Sequence, residues 1–212
     1  MASRIVHLAI ANEINKLHPI PAPERFFLGS ILPDVYPDKQ AHYNKLLENG
    51  AKQTHDLSGF RRKYGSRLQS DPLYLGYYLH LLQDILFRNE IYGVVGFDPR
   101  PAGNVAQLHL DYRLTNRCVI DKYGLTNQVR VPAGLEAEPL WQEWQFALAP
   151  FLEELAQDFR DRPQGTPKYF TEAVADRLIH RSAKLCLQEL EALRTGAGFF
   201  DEDRFCWERR VL

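Results

Sequence analysis

His80 and Asp84 stand one helical turn apart within residues 75–88, LGYYLHLLQDILFR, a run that is otherwise almost wholly apolar. A helix sets residues i and i+4 on one face, so imidazole and carboxylate project together from a greasy surface. Burying both is costly unless something satisfies them. A divalent cation does so through a neutral imidazole nitrogen and a carboxylate oxygen. A plain His–Asp hydrogen bond or ion pair does so without one. For the pair alone both readings stand, and the choice rests on which other ligand-type residues accompany it.

The elements that must position such company precede it. SRIVHLAIANEINKLH predicts an amphipathic helix with Ser3 as its N-cap. His7 falls on the stripe of Ile10, Ala11 and Ile14, the face that turns inward, where it reads as a ligand or as a hydrogen-bonded core histidine. Further on, FFLGSILPDVYPDKQAHYNK sets Asp34 between Pro33 and Pro37. That holds it out of a helix interior, in extended or turn backbone, as a turn aspartate or a ligand. His42 follows eight residues later.

Taken in order, an early helical histidine, Gly-x-x-x-Pro-Asp, His-aromatic and Leu-Gly-x-x-x-His-x-x-x-Asp resemble the zinc-dependent phospholipase C family. That family includes the catalytic domain of the phospholipase D that cleaves glycosylphosphatidylinositol anchors, and it is related in fold to the zinc-dependent single-strand nucleases. The matching residues are His7, Gly29 to Pro33-Asp34, His42-Tyr43, and Leu75-Gly76 to His80 and Asp84. They lie in the first half of the chain, and their order is more specific than any one motif. The resemblance implies that His7, Asp34, His42, His80 and Asp84 are metal ligands. It also implies an all-α, single-domain multi-helix bundle and hydrolysis of phosphoester bonds.

The sequence departs from the family in two places. A further histidine usually follows the HxxxD, whereas one turn beyond Asp84 this chain has Arg88, which stays protonated and does not ligate a cation. Secreted members use the free amino end of a processed chain as a ligand, but this sequence opens Met-Ala-Ser-Arg-Ile with no signal-peptide apolar run. One or two ions are therefore expected rather than three, zinc being favoured by imidazoles with carboxylates. Arg88 is expected to bind a substrate phosphate or to be a surface arginine at a helix end.

Such a metal lowers the pKa of bound water toward neutrality. In the family the residue matching Asp34 sits at the metal centre, where it can both bind and take a proton. Tyr77, Tyr78 and Gln83 are the residues in range to orient the histidines. His109, in AQLHLDYRLTN beside Asp111, is a further candidate ligand on a predicted helix that stops at Gly124. The adjacent His55-Asp56 invites an HD-type phosphohydrolase reading, against which Asp56 is also a natural N-cap for residues 57–64.

Composition agrees with a compact enzyme. The chain has 212 residues, 45% of them hydrophobic, enough for one good-sized core. Lys plus Arg number 26 against 27 for Asp plus Glu, so nothing suggests a nucleic-acid partner or an anionic-membrane binder. No apolar run approaches a transmembrane span. Cys118, Cys186 and Cys206 are odd in number and scattered, which fits reduced thiols in a cytoplasmic protein. The expected substrate is a small-molecule or lipid phosphoester.

Helices and proline-rich connectors fill the chain, with little that reads as strand. Residues 1–125 carry the candidate site, and 138–212 are expected to pack across it within one domain. Trp141, Trp144, Leu148 and Leu152 recur at helical spacing, with Pro150 expected to kink or interrupt the helix. A long amphipathic helix is predicted over 166–193, with Pro167 in its first turn and His180, Arg177, Arg181 and Lys184 on a solvated face. The tail alternates Phe199, Phe200, Phe205 and Trp207 with charges. It is expected to pack back on the body, a homo-oligomer contact being the alternative.

Overall fold

A computed structural model describes residues 2–35 and 39–209, so Pro37 lies outside the described residues. The fold is all-α in the broad sense. Eight helices occur among the described residues, with a small three-stranded sheet beside them. At the centre runs α4 (Pro72–Arg88), whose residues from Gly76 to Phe87 are all buried. Asp71 caps it through the Leu73 N–H, and Pro72 occupies the first turn, where no N–H is needed.

Two glycines bring α2 (Pro23–Gly29) onto α4. A Cβ at Gly29 would lie 2.1 Å from the Leu73 carbonyl oxygen, and one at Gly76 would lie 2.3 Å from the Phe26 carbonyl oxygen. Backbone therefore meets backbone, which fixes the chain leaving α2 against the face of α4 that carries His80. The first helix, α1 (Arg4–Leu17), begins at Ser3, whose hydroxyl accepts the Val6 N–H. It packs against α5 (Asn104–Tyr123) and α8 (Glu172–Arg194). One continuous apolar cluster extends in sequence from Ala2 to Trp207.

The sheet was not apparent from the hydrophobic pattern. β1 (Asn44–Leu47) and β2 (Lys52–His55) form an antiparallel hairpin, and β3 (Trp207–Glu208) adds to β2 with Gln53 opposite Trp207. The strands are too short and polar to show an apolar alternation, but Asn49-Gly50 between them is a hairpin signal, and both residues adopt positive φ. The next helix, α3 (Leu57–Ser70), starts at Asp56, whose carboxylate accepts the Gly59 N–H.

Three helix boundaries differ from the sequence expectation. The Trp141 segment breaks at Gln145 (φ 49°) rather than at Pro150, giving α6 (Pro139–Trp144) and α7 (Leu148–Arg160). Pro150 sits in the first turn of α7, where its missing N–H costs nothing. The helix predicted over 166–193 begins only at Glu172, because Asp111 takes the N–H groups of Lys168, Tyr169 and Phe170 into its buried carboxylate. Arg177 and Arg181 are not wholly solvated either: both reach the buried Glu90 of the π-helical turn Asn89–Val94 that continues α4.

The tail lies back on the body. Glu189 on α8 accepts the N–H groups of Phe199 and Phe200, and Lys45 pairs with Asp203. Phe200 and Trp207 are buried while Phe199 stays exposed. No helix is long and apolar enough to cross a membrane among the described residues, and the three cysteines are unpaired.

Candidate metal centre

Five residues singled out in the sequence converge at the core. His7 comes from α1 and Asp34 from a 3-10 turn, Leu32–Val35, that follows α2. His42 ends a second such turn, Lys39–His42, while His80 and Asp84 come from α4. Tyr43, in the left-handed region (φ 49°), turns the chain from His42 into β1, and its carbonyl accepts the Asp56 N–H. Side chains of His7, His80 and Asp84 have no solvent exposure at all, and Asp34 retains only 8%.

The donor atoms form a tight nest. Asp34 Oδ1 is 3.3 Å from His42 Nε2 and 3.8 Å from His80 Nε2. Asp84 Oδ2 is 3.7 Å from His42 Nε2 and 3.8 Å from His80 Nε2, and Asp84 Oδ1 is 3.5 Å from His7 Nε2. Two triads, His7–His80–Asp84 and Asp34–His42–His80, each bring one donor atom per residue within 4.8 Å of one another. Donors around a tetrahedral ion with bonds of about 2.0–2.2 Å lie roughly 3.3–3.6 Å apart, which is close to the shorter of these spacings.

Hydrogen bonds outside the nest fix what its atoms offer. His80 Nδ1 is 2.9 Å from the Ser30 carbonyl oxygen, which can only accept, so Nδ1 carries the hydrogen and Nε2 presents a lone pair inward. His7 Nδ1 likewise donates to Gln83 Oε1 at 2.7 Å. Of the three residues in range to orient a histidine, Gln83 alone does so. Tyr77 donates to the Ala41 carbonyl and Tyr78 to Glu189. Asp84 Oδ1 also accepts the Ala2 backbone N–H at 3.1 Å.

What remains is a set of orphans. Nε2 of His7 and His80, Nδ1 of His42, both ring nitrogens of His55 and Oδ2 of Asp84 are buried with no hydrogen-bond partner. Buried polar atoms are rarely left so, and lone pairs facing carboxylate oxygens repel unless a cation or proton lies between them. The residues therefore fit a divalent cation. His80 has only Nε2 to give, so the two triads cannot each hold a separate ion through it.

Electrostatics point the same way. Burial, with help from the neighbouring histidines, pushes His80 down to about 3, and burial pushes His55 down to about 3, so both are neutral. Burial also opposes charge on Asp34, but His80 and His42 outweigh it and hold its carboxyl below the usual range. Asp84 is buried too, yet its charged surroundings and the hydrogen bond from His7 hold it well below the usual carboxylate range. His7 moves upward: burial lowers it, while the Asp84 and Asp34 carboxylates more than compensate. His80 and His55 are thus neutral, as metal binding requires, whereas at His7 a cation would have to displace the proton that Asp84 favours.

His55 is the residue that sequence reasoning left outside the set. β2 carries it to the nest, with Nε2 3.9 Å from Asp84 Oδ2 and its ring 5.9 Å from that of His42. Asp56 turns away to cap α3, so the adjacent pair divides between two tasks. His109 lies exposed on α5 with its ring 5.9 Å from Tyr112, and it belongs to neither triad.

A cavity of about 290 Å³ opens beside the nest, reaching His42 and His55 and lined also by Arg88, Tyr92, His109 and Trp207. Arg88 donates to the Tyr92 hydroxyl at 2.7 Å, and its guanidinium lies over the rings of Tyr92 and Trp207. A second cavity of about 360 Å³ reaches Asp34 and shares His109 and Tyr112 with the first. No protein-family model, curated protein or solved structure matches the chain.

Proposed function

We propose that this chain is a metal-dependent hydrolase of phosphoester bonds, of the kind the resemblance to the zinc-dependent phospholipase C family implies. The observation that carries the reading is the set of orphaned imidazole nitrogens and carboxylate oxygen converging beside a cavity that a guanidinium also lines. His7, Asp34, His42, His80 and Asp84 would hold one or two divalent ions, zinc by preference. Such an ion supplies Lewis acidity toward a phosphoryl oxygen and draws the pKa of a bound water toward neutrality.

The chain's own residues do the remaining work. Ser30 and Gln83 hold His80 and His7 in the tautomers that present Nε2 inward. Asp34 is the less buried of the two carboxylates and lines the second cavity, so it is the group that accepts a proton from an attacking water. Arg88, paired with no carboxylate among the described residues, offers a planar set of donors to phosphate oxygens. Phe87 and Leu108 add apolar surface to that wall of the cavity. The substrate is a small-molecule or lipid phosphoester, and the unpaired cysteines support a cytoplasmic setting.

Hydrolysis of bis(p-nitrophenyl) phosphate and p-nitrophenyl phosphate by zinc-loaded protein tests this reading. Turnover that disappears with chelator, returns with zinc and is lost in Asp34→Asn supports it. Absence of turnover with a full complement of metal overturns it.

A non-catalytic protein with a structural metal site is the second reading. Two observations favour it: Arg88 stands where the family has a histidine, and His7, His80 and Asp84 are wholly enclosed. Metal that raises the thermal midpoint without turnover would select it. If the nest worked without metal, as a polar network, joint replacement of His80 and Asp84 by leucine would be close to neutral for folding. An HD-type phosphohydrolase is the lesser alternative, and it needs Asp56 at the ion rather than at the start of α3.

A further inference from the structure

The cavity beside the nest is unevenly furnished. Its lining contains one guanidinium, Arg88, one carboxylate, Glu208, and among the rest a wall of rings and aliphatic groups that includes Tyr92, Leu108 and Trp207. Arg88 lies 5.6 Å from the Tyr92 ring centroid and 5.7 Å from that of Trp207, and its Nε is buried without a partner. A guanidinium held over two rings and bonded to the Tyr92 hydroxyl has less rotational freedom to lose when it meets an anion. The Trp207 ring also stands 5.2 Å from the His55 ring, so this residue joins the metal end of the cavity to its apolar end.

Trp207 belongs to the tail rather than to the helical body. It is placed by β3, by Glu189 and by the Lys45–Asp203 pair, whereas every residue of the two triads lies between His7 and Asp84. Trp207 can therefore be altered without changing any residue of either triad.

From these features we propose that the cavity selects the phosphoester of a compact aromatic or aliphatic alcohol. Arg88 takes phosphate oxygens, and Trp207 with Tyr92 packs the organic group. A polynucleotide fits poorly, because each added phosphate needs a further cation and Arg88 is the only lysine or arginine in the lining. This inference rests on the hydrolase reading for the word ester, but the binding preference belongs to the walls.

Phenylphosphonate and methylphosphonate, which are not hydrolysed, separate the two claims. Calorimetric titration of the zinc-treated full chain should show phenylphosphonate binding at least about tenfold more tightly than methylphosphonate, the scale of one buried aromatic contact. Trp207→Ala should erase that ratio with zinc content unchanged, and Trp207→Phe should restore most of it. Arg88→Leu should weaken both ligands alike. Equal binding of the two phosphonates, no binding of either, or competition by a single-stranded oligonucleotide as strong as by phenylphosphonate would overturn the proposal. Phenylphosphonate binding with the expected ratio but no turnover of phenyl phosphate would uphold the pocket and reject the hydrolase.

Discussion

Gln83 Oε1 lies 2.7 Å from His7 Nδ1, which therefore carries a hydrogen, and the opposite ring nitrogen faces Asp84 Oδ1 at 3.5 Å. A proton or a divalent cation between that nitrogen and the carboxylate satisfies both in this wholly buried place. The Gln83 amide thus orients one member of the candidate centre from outside it.

Gln83→Leu removes the acceptor that selects this tautomer. Metal affinity should fall by about 10–100-fold, the range seen when partners behind metal-binding histidines are lost. Gln83→Glu keeps an acceptor and should retain most of the affinity. Competitive titration against a chromophoric zinc chelator reads both, and unchanged affinity in Gln83→Leu would remove the amide from the account.

Gly76 is where α2 and α4 touch through backbone, one turn before His80. Gly76→Ala must push α2 away, carrying with it the Ser30 carbonyl that orients His80. A loss of about 1–3 kcal/mol in chemical denaturation is expected from such overpacking, together with weaker zinc binding. Ala at Gly65, inside α3 where an added Cβ meets nothing within 4 Å, is the matching control and should leave zinc binding unchanged while holding or raising stability.

The metal-free protein should be acid-sensitive. His55 and His80 sit at about 3 in the folded chain against 6.5 for an ordinary imidazole, so below pH 6.5 the unfolded chain binds more protons. Stability therefore falls as pH drops from 6.5 toward 3. Asp34 and Asp84, both lowered, add to the loss below their ordinary value of 3.8. His7, raised, has the opposite sign: its contribution is full below 6.5 and fades as pH rises through its folded value. Two histidines outweigh one, so urea midpoints should decline from pH 7 to pH 4.5. A flat profile would contradict the burial of neutral imidazoles.

Much of this was legible in the sequence because helices advertise themselves. The apolar stripe carrying His7 and the His80–Asp84 spacing both follow from a repeat of 3.6 residues, and both residues meet where that repeat puts them. Ser3, Asp56 and Gly124 end helices as their side chains or lack of one dictate. His55 was not legible as part of the nest, since a four-residue strand has no periodicity to read and its partner in space, Trp207, is far along the chain. The late start of α8 was hidden for the same reason. Asp111 draws residues 168–170 out of helix through contacts that no local pattern encodes.

Elemental analysis of untagged protein purified without chelator shows whether the nest binds a divalent cation. One or two equivalents of zinc or a related ion are expected in the wild type and none in His80→Ala, with a thermal midpoint that rises on zinc addition only in the wild type. Protein that is folded yet free of metal, and indifferent to added zinc or manganese, would contradict metal binding at the nest.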